Sequence, residues 1–171
     1  MKRQAGFTII ELVVVIALLG ILAAVALPRF IDVTEDAHKA SVQGTAGALA
    51  SAVALVKAQA IVKNTDTGDT LTIDGTHIVV NSSRFAVGTN GTPLSDGSGT
   101  TAAAAAGCVQ VWNAILQANA PSVSATAAAA DYQAKLDGTK CDFEYQKDQN
   151  GTAIRTIAYD TNNGEVTTEN L

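Results

Sequence analysis

The stretch from Phe7 to Leu27 constrains this chain most: of its twenty-one residues only Thr8, Glu11 and Gly20 are not plainly apolar. As a helix it would rise about 31 Å at 1.5 Å per residue, the thickness of a hydrocarbon core of roughly 30 Å, so it can cross a membrane once. Lys2 and Arg3 precede it, and no basic residue follows until Arg29. That asymmetry sets the N-terminus in the cytoplasm and the bulk of the chain outside. A cleaved secretory signal is a rival reading, because Ala24-Val25-Ala26 fits an A-x-A cleavage site. Against it stand the length of the run, the interruption at Glu11 and the helical character of the residues beyond Ala26. Neither a signal nor a plain anchor explains a carboxylate at Glu11, which costs on the order of 3 kcal/mol in lipid and at such depth usually faces a protein partner.

The segment "KRQAGFTIIELVVVIALLGILAAVALPRF" resembles the N-terminus of type IV pilins and of the related pseudopilins: a short basic leader ending in Gly, then Phe, an acid five residues after the Gly, and an unbroken apolar helix. The six-residue leader and its Phe are similar to the type IVa subgroup. The run on through "VALPRFIDVTEDA", with a two-cysteine head, is most similar to pilins of mannose-sensitive haemagglutinin (MSHA) filaments. The resemblance implies that a prepilin peptidase cuts between Gly6 and Phe7 and methylates the new Phe7 amine. Removing Lys2 and Arg3 leaves 9 basic against 16 acidic side chains. It also implies a homopolymer, with Glu11 pairing with the Phe7 amine of an adjacent subunit and so fixing register. In the uncut chain the acid is expected to lack a partner. The other reading of Glu11 is that it favours the positive helix N-terminus. Pro28 removes a helical hydrogen bond and Gly20 weakens the helix. The expected results are a kink, a segment able to loosen in a filament, or both.

The expected division is a leader over 1–6, a membrane and filament-core helix over 7–30, and a head over 31–171 that includes a cysteine-bounded region, 108–141. The fold expected is α+β, a pilin fold: a long N-terminal helix, its hydrophobic half protruding, packed on an antiparallel sheet of four or five strands. The helix should resume from Arg29 to about Lys63. Val42, Ala46, Leu49, Val53, Val56 and Ala60 step by four and three and form a core stripe. Gly44 and Gly47 fit close packing on that helix. "TLTIDGTHIVV" reads as a hairpin turning at Asp74-Gly75. The stretch "GTNGTPLSDG" reads as a surface loop, followed by a short helix through Gln117 that buries Val111, Trp112, Ile115 and Leu116. "CDFEYQK", "TAIRTIAYD" and "GEVTTE" read as strands separated by the turn signals "DQNG" and "TNNG".

Cys108 and Cys141 form an even count in a chain with an export-type segment, which favours a disulfide. It would close a loop worth roughly 4 kcal/mol in the chain-entropy model. In the resembled family such a cysteine-bounded region is exposed on the filament, although Ala-rich content of this kind is unusual there. No enzymatic signature emerges. His38 and His77 have no acids or thiols at ligand spacing, and Ser98 in "DGSGT" is not a nucleophile elbow. The acidic balance disfavours nucleic acid. No cofactor and no metal is expected. "DTNNGE" from Asp160 departs from the EF-hand pattern, leaving only a looser calcium site on Asp160, Asn162 and Glu165 as an alternative. Asn81, Asn90 and Asn150 head N-x-S/T triplets, read as turn residues.

The function expected is a pilus subunit for adhesion, biofilm formation and motility, with no enzymatic activity. Its partners would be copies of itself, the prepilin peptidase, an assembly platform with its ATPase, the inner membrane before assembly, and glycans or surfaces. It would pass from the bacterial inner membrane to an extracellular pilus. The alternatives are a type II secretion pseudopilin and a head that binds carbohydrate in its own right.

Overall fold

The computed structural model describes residues 6–89, 92–94, 102–117, 120–126, 130–148 and 153–171. Two compact units divide the chain, residues 1–37 and 38–171. One helix, α1 (Ile9–Val62), runs through both in sequence, with Pro28 inside it. Over Ile9–Leu27 its mean hydropathy is 3.0 and none of it is buried, so this stretch is long and apolar enough to cross a membrane.

In the second unit α1 buries all six stripe residues, Val42, Ala46, Leu49, Val53, Val56 and Ala60, none more than 8% exposed. The helix ends where the polar run begins. Asn64 adopts a left-handed φ of 50°, and Thr65 N–H donates to the Ala60 carbonyl at 2.9 Å. This is a Schellman stop, with Asn in the place glycine more often takes. Gly44 and Gly47 lie on the exposed side, where an added Cβ would meet nothing within 4 Å. Close packing within the head is therefore not the reason for them.

A four-stranded sheet follows, ordered β1 (Thr70–Ile73), β2 (Thr76–Val80), β3 (Ala86–Thr89), β4 (Thr92–Pro93). The β1–β2 turn is Asp74-Gly75 with φ of 47° and 81°, the left-handed pair of a type I′ hairpin. The expected loop is corrected here: its first residues pair as β3 and β4, with Gly88 opposite Pro93 and Thr89 opposite Thr92. Hydrophobic alternation misses so short and small a hairpin, although Asn90-Gly91 is a turn signal in the sequence. Helix α2 (Ala102–Leu116) comes next and stops at Gln117, φ 59°.

The second sheet is ordered β5 (Val123–Ser124), β6 (Tyr132–Asp137), β7 (Lys140–Tyr145), β8 (Thr156–Asp160), β9 (Val166–Glu169). All pairs are antiparallel except β5–β6, a two-residue parallel contact. One sheet of four or five strands was expected, and there are two. Strand β6 lies outside the three strands expected in the C-terminal third, the Ala-rich run before it giving no alternation. It nonetheless alternates, burying Tyr132, Ala134 and Leu136. The β8–β9 turn falls on "TNNG", with Gly164 at φ 74°. A Cβ there would run into the Phe85 ring. Among the fully buried side chains are Trp112, Tyr132, Phe143 and Tyr159. Trp112 sits 4.5 Å from Phe143 and 5.1 Å from Tyr132, centroid to centroid, and its Nε1–H donates to the Pro121 carbonyl at 3.0 Å. Tyr159 O–H donates to the Ala86 carbonyl at 2.9 Å, joining the two sheets. The fold is α+β, a long N-terminal helix followed by antiparallel sheet.

Candidate functional site at the start of the helix

Gly6, Phe7 and Thr8 precede the first helical residue, Ile9, and all three are exposed. A helix start leaves backbone N–H groups without partners. Here a capping box meets two of them, those of Thr8 and Glu11. Thr8 N–H and Thr8 Oγ1–H both donate to Glu11 Oε2, at 2.9 and 2.7 Å, and Glu11 N–H donates to Thr8 Oγ1 at 3.3 Å. Glu11 therefore has a partner in the uncut chain, which corrects the expectation that it has none. The signal was present in the sequence: Thr-x-x-Glu before an apolar run is a capping box. The acid thus serves the helix N-terminus, and its Oε1 accepts no hydrogen bond among the described residues.

Gly6 has no left-handed backbone and would tolerate a Cβ in open space. Gly20 likewise has nothing within 4 Å of an added Cβ. Phe7 is 92% exposed, and the large apolar residues from Ile9 to Leu27 are all at least half exposed. Lys2 and Arg3 lie outside the described residues, as do Ser98, Asn90 and Asn150.

In the head, Cys108 on α2 is bonded to Cys141 on β7, Sγ–Sγ 2.00 Å. Of the region between them, the described residues include the end of α2, β5 and β6. Asp131, just before β6, pairs with Lys147 and accepts from Ser122 N–H at 2.8 Å and Ser122 Oγ–H at 2.7 Å. The Lys147 ammonium first, and Ser122 second, hold its carboxyl below the usual range. Burial, then the neighbouring Asp137 and Glu169, pushes Asp142 up.

The two histidines bond to hydroxyls: His38 Nδ1 lies 3.0 Å from Tyr145 Oη, and His77 Nδ1 lies 3.0 Å from Thr72 Oγ1. Asn81 is spent on structure, its Nδ2–H donating to the Thr161 carbonyl and its Oδ1 accepting from Ser83 and Phe85 N–H. Asp160 Oδ1 accepts from Asn162 N–H, and Glu165 Oε2 from Asn163 Nδ2–H. These oxygens stitch their own turn. Among the described residues no three His, Cys, Asp or Glu side chains converge as a metal site would require.

A family model described as the prokaryotic N-terminal methylation motif matches residues 1–27. The chain is 52% identical over 58 residues to the type IV narrow pilus major component PilA5 of Thermus thermophilus, covering 34% of this chain and 50% of that one. The chain is similar to the type IV pilins. A fimbrial protein of Pseudomonas aeruginosa is 34% identical over 101 residues, 58% of this chain and 57% of its own length. The type IV major alpha-pilin of Moraxella bovis is 47% identical over 53 residues, 31% of this chain and 33% of its own. The chain spans about half the length of the first two pilins. No solved structure gives a significant match. These relatives are named as pilus and fimbrial components.

Proposed function

We propose that this chain is the structural subunit of a type IV pilus of MSHA type, working by polymerisation and not by catalysis. A membrane peptidase cuts the Gly6–Phe7 bond and methylates the Phe7 amine. Until assembly the Phe7–Leu27 helix anchors the subunit in the inner membrane, with its N-terminus cytoplasmic. The assembly platform and its ATPase then move that helix from lipid into a bundle of identical helices, and the filament extends outside the cell. Burial of the apolar surface is conserved in that exchange, so little free energy separates the two states and a motor can drive it. The surface filament serves adhesion, biofilm formation and motility, with the 108–141 region facing outward.

The observation that carries this reading is an exposed apolar helix half whose sole acid sits three residues into the helix, within the matched methylation motif. Gly6 supports it too. Its own chain makes no demand for glycine there, so the demand is assigned to an enzyme that must approach the backbone closely. Glu11 of one subunit pairs with the Phe7 amine of the next, and Gly20 with Pro28 marks where the helix loosens.

Mass spectrometry of the mature N-terminus tests this. Methylated Phe7 as the first residue is expected. Leu27 as the first residue would return the chain to the secreted proteins. Glu11→Val tests the register pair, since removing one partner of a buried pair costs roughly 3 to 5 kcal/mol. Filament yield should fall by two orders of magnitude or more.

A further inference from the structure

The capping box divides the two oxygens of Glu11. Both donors of Thr8, its N–H and its Oγ1–H, converge on Oε2, and among the described residues nothing bonds Oε1. Thr8 Oγ1 also accepts from Glu11 N–H, so the acid is held from its backbone and from its carboxylate end. All three bonds lie within residues 8–11, on the Phe7 side of the Gly6–Phe7 bond, and survive a cut there. The group the cut creates, the Phe7 amine, takes no part in the cap. We infer that Thr8 is a positioning residue for assembly: it fixes the Glu11 side chain so that Oε1 alone is offered to the amine of a neighbouring copy, and the cap persists beside that pair in the polymer.

This rests on the filament reading and on Glu11 as its register acid. The chemistry explains why a hydroxyl is needed at this position. An unheld glutamate has three rotatable side-chain bonds, and ordering them at the moment of association costs affinity that a pre-set side chain does not lose. Valine matches threonine in shape but removes both the donor and the acceptor oxygen. Serine keeps both.

The experiment compares the full chain carrying Thr8→Val, Thr8→Ser, Glu11→Val, or Thr8→Val with Glu11→Val, in cells that assemble the parent. It reads sheared filament yield and the mass of the mature N-terminus. Loss of a capping hydroxyl is worth about a fivefold change. Thr8→Val should lower filament yield by about that factor or more, with cleavage at Gly6–Phe7 unchanged. Thr8→Ser should restore yield, and the double variant should be no worse than Glu11→Val alone. Parent-like assembly of Thr8→Val while Glu11→Val fails would overturn the inference and leave the filament reading standing. So would a Thr8→Ser as defective as Thr8→Val, or an uncut Thr8→Val precursor, which would put the role in processing. Parent-like assembly of Glu11→Val would overturn the register reading itself.

Discussion

The glycines of the two ends of this molecule behave oppositely. Gly164, in the head, has a left-handed φ of 74° and no room for a Cβ beside Phe85; the fold itself requires it. Gly6 and Gly20, at the start of the chain, have neither constraint. The same contrast holds for apolar side chains. Trp112, Tyr159 and Phe143 are wholly buried, whereas Phe7, Ile9 and Leu27 stand exposed. Within residues 38–171 the fold itself accounts for Gly164 and for the buried aromatic side chains, though not for Gly44 and Gly47. Residues 6–27 carry choices, Gly6, Gly20 and a run of exposed apolar side chains, that contacts within this unit do not explain.

Three measurements can break that contrast, in order of size. Replacing Cys108 and Cys141 by Ser opens a link across 33 residues of sequence, and the head should lose about 4 kcal/mol in the chain-entropy model, seen as an earlier denaturant midpoint. The N-terminus should be cut and methylated as before in whatever folded protein remains. Next, Gly164→Ala should cost roughly 2 kcal/mol or more from backbone strain and the Phe85 clash, while Gly44→Ala should raise head stability by about 1 kcal/mol. A Gly164→Ala as harmless as Gly44→Ala, or a Gly44→Ala as costly as Gly164→Ala, would overturn the distinction between glycines the fold requires and those it does not. The smallest effect is electrostatic. The fold raises the Asp142 pKa, by burial first and then by Asp137 and Glu169, so it disfavours the ionised form. A raised acid contributes stability that is present below its unfolded pKa, about 3.9, and is lost as pH rises through the folded value. Asp142→Asn should therefore raise the melting temperature at pH 7, and the gain should vanish near pH 3.

Much of the fold could be read in advance where one physical signal dominated. The stripe from Val42 to Ala60 needed only helical periodicity. Asp74-Gly75 needed only the left-handed pair that a two-residue hairpin demands. The short strands were harder. Thr92–Pro93 and Val123–Ser124 have too few residues to show alternation, and they pair because neighbouring strands offer open backbone groups. That is tertiary information. The division into two sheets is of the same kind, since it depends on bonds such as Tyr159 to Ala86 between distant segments. At the candidate site Glu11 stood out as a charge in an apolar run, and Gly6 and Phe7 through the resemblance of the leader to a cleavage motif. Thr8 was visible as a polar residue of the same run, but its role shows only when its spacing from Glu11 is counted.

The Cys108–Cys141 bond has a mechanical side. A filament subunit under tension is pulled along its chain, and a covalent link across 33 residues keeps that segment out of the load path. At about 3.3 Å per residue, roughly 100 Å of extension is withheld even if the head gives way. In the filament proposed above, a reduced subunit would lengthen by that amount under the same force, so the redox state of this one bond would set how far each subunit can be stretched.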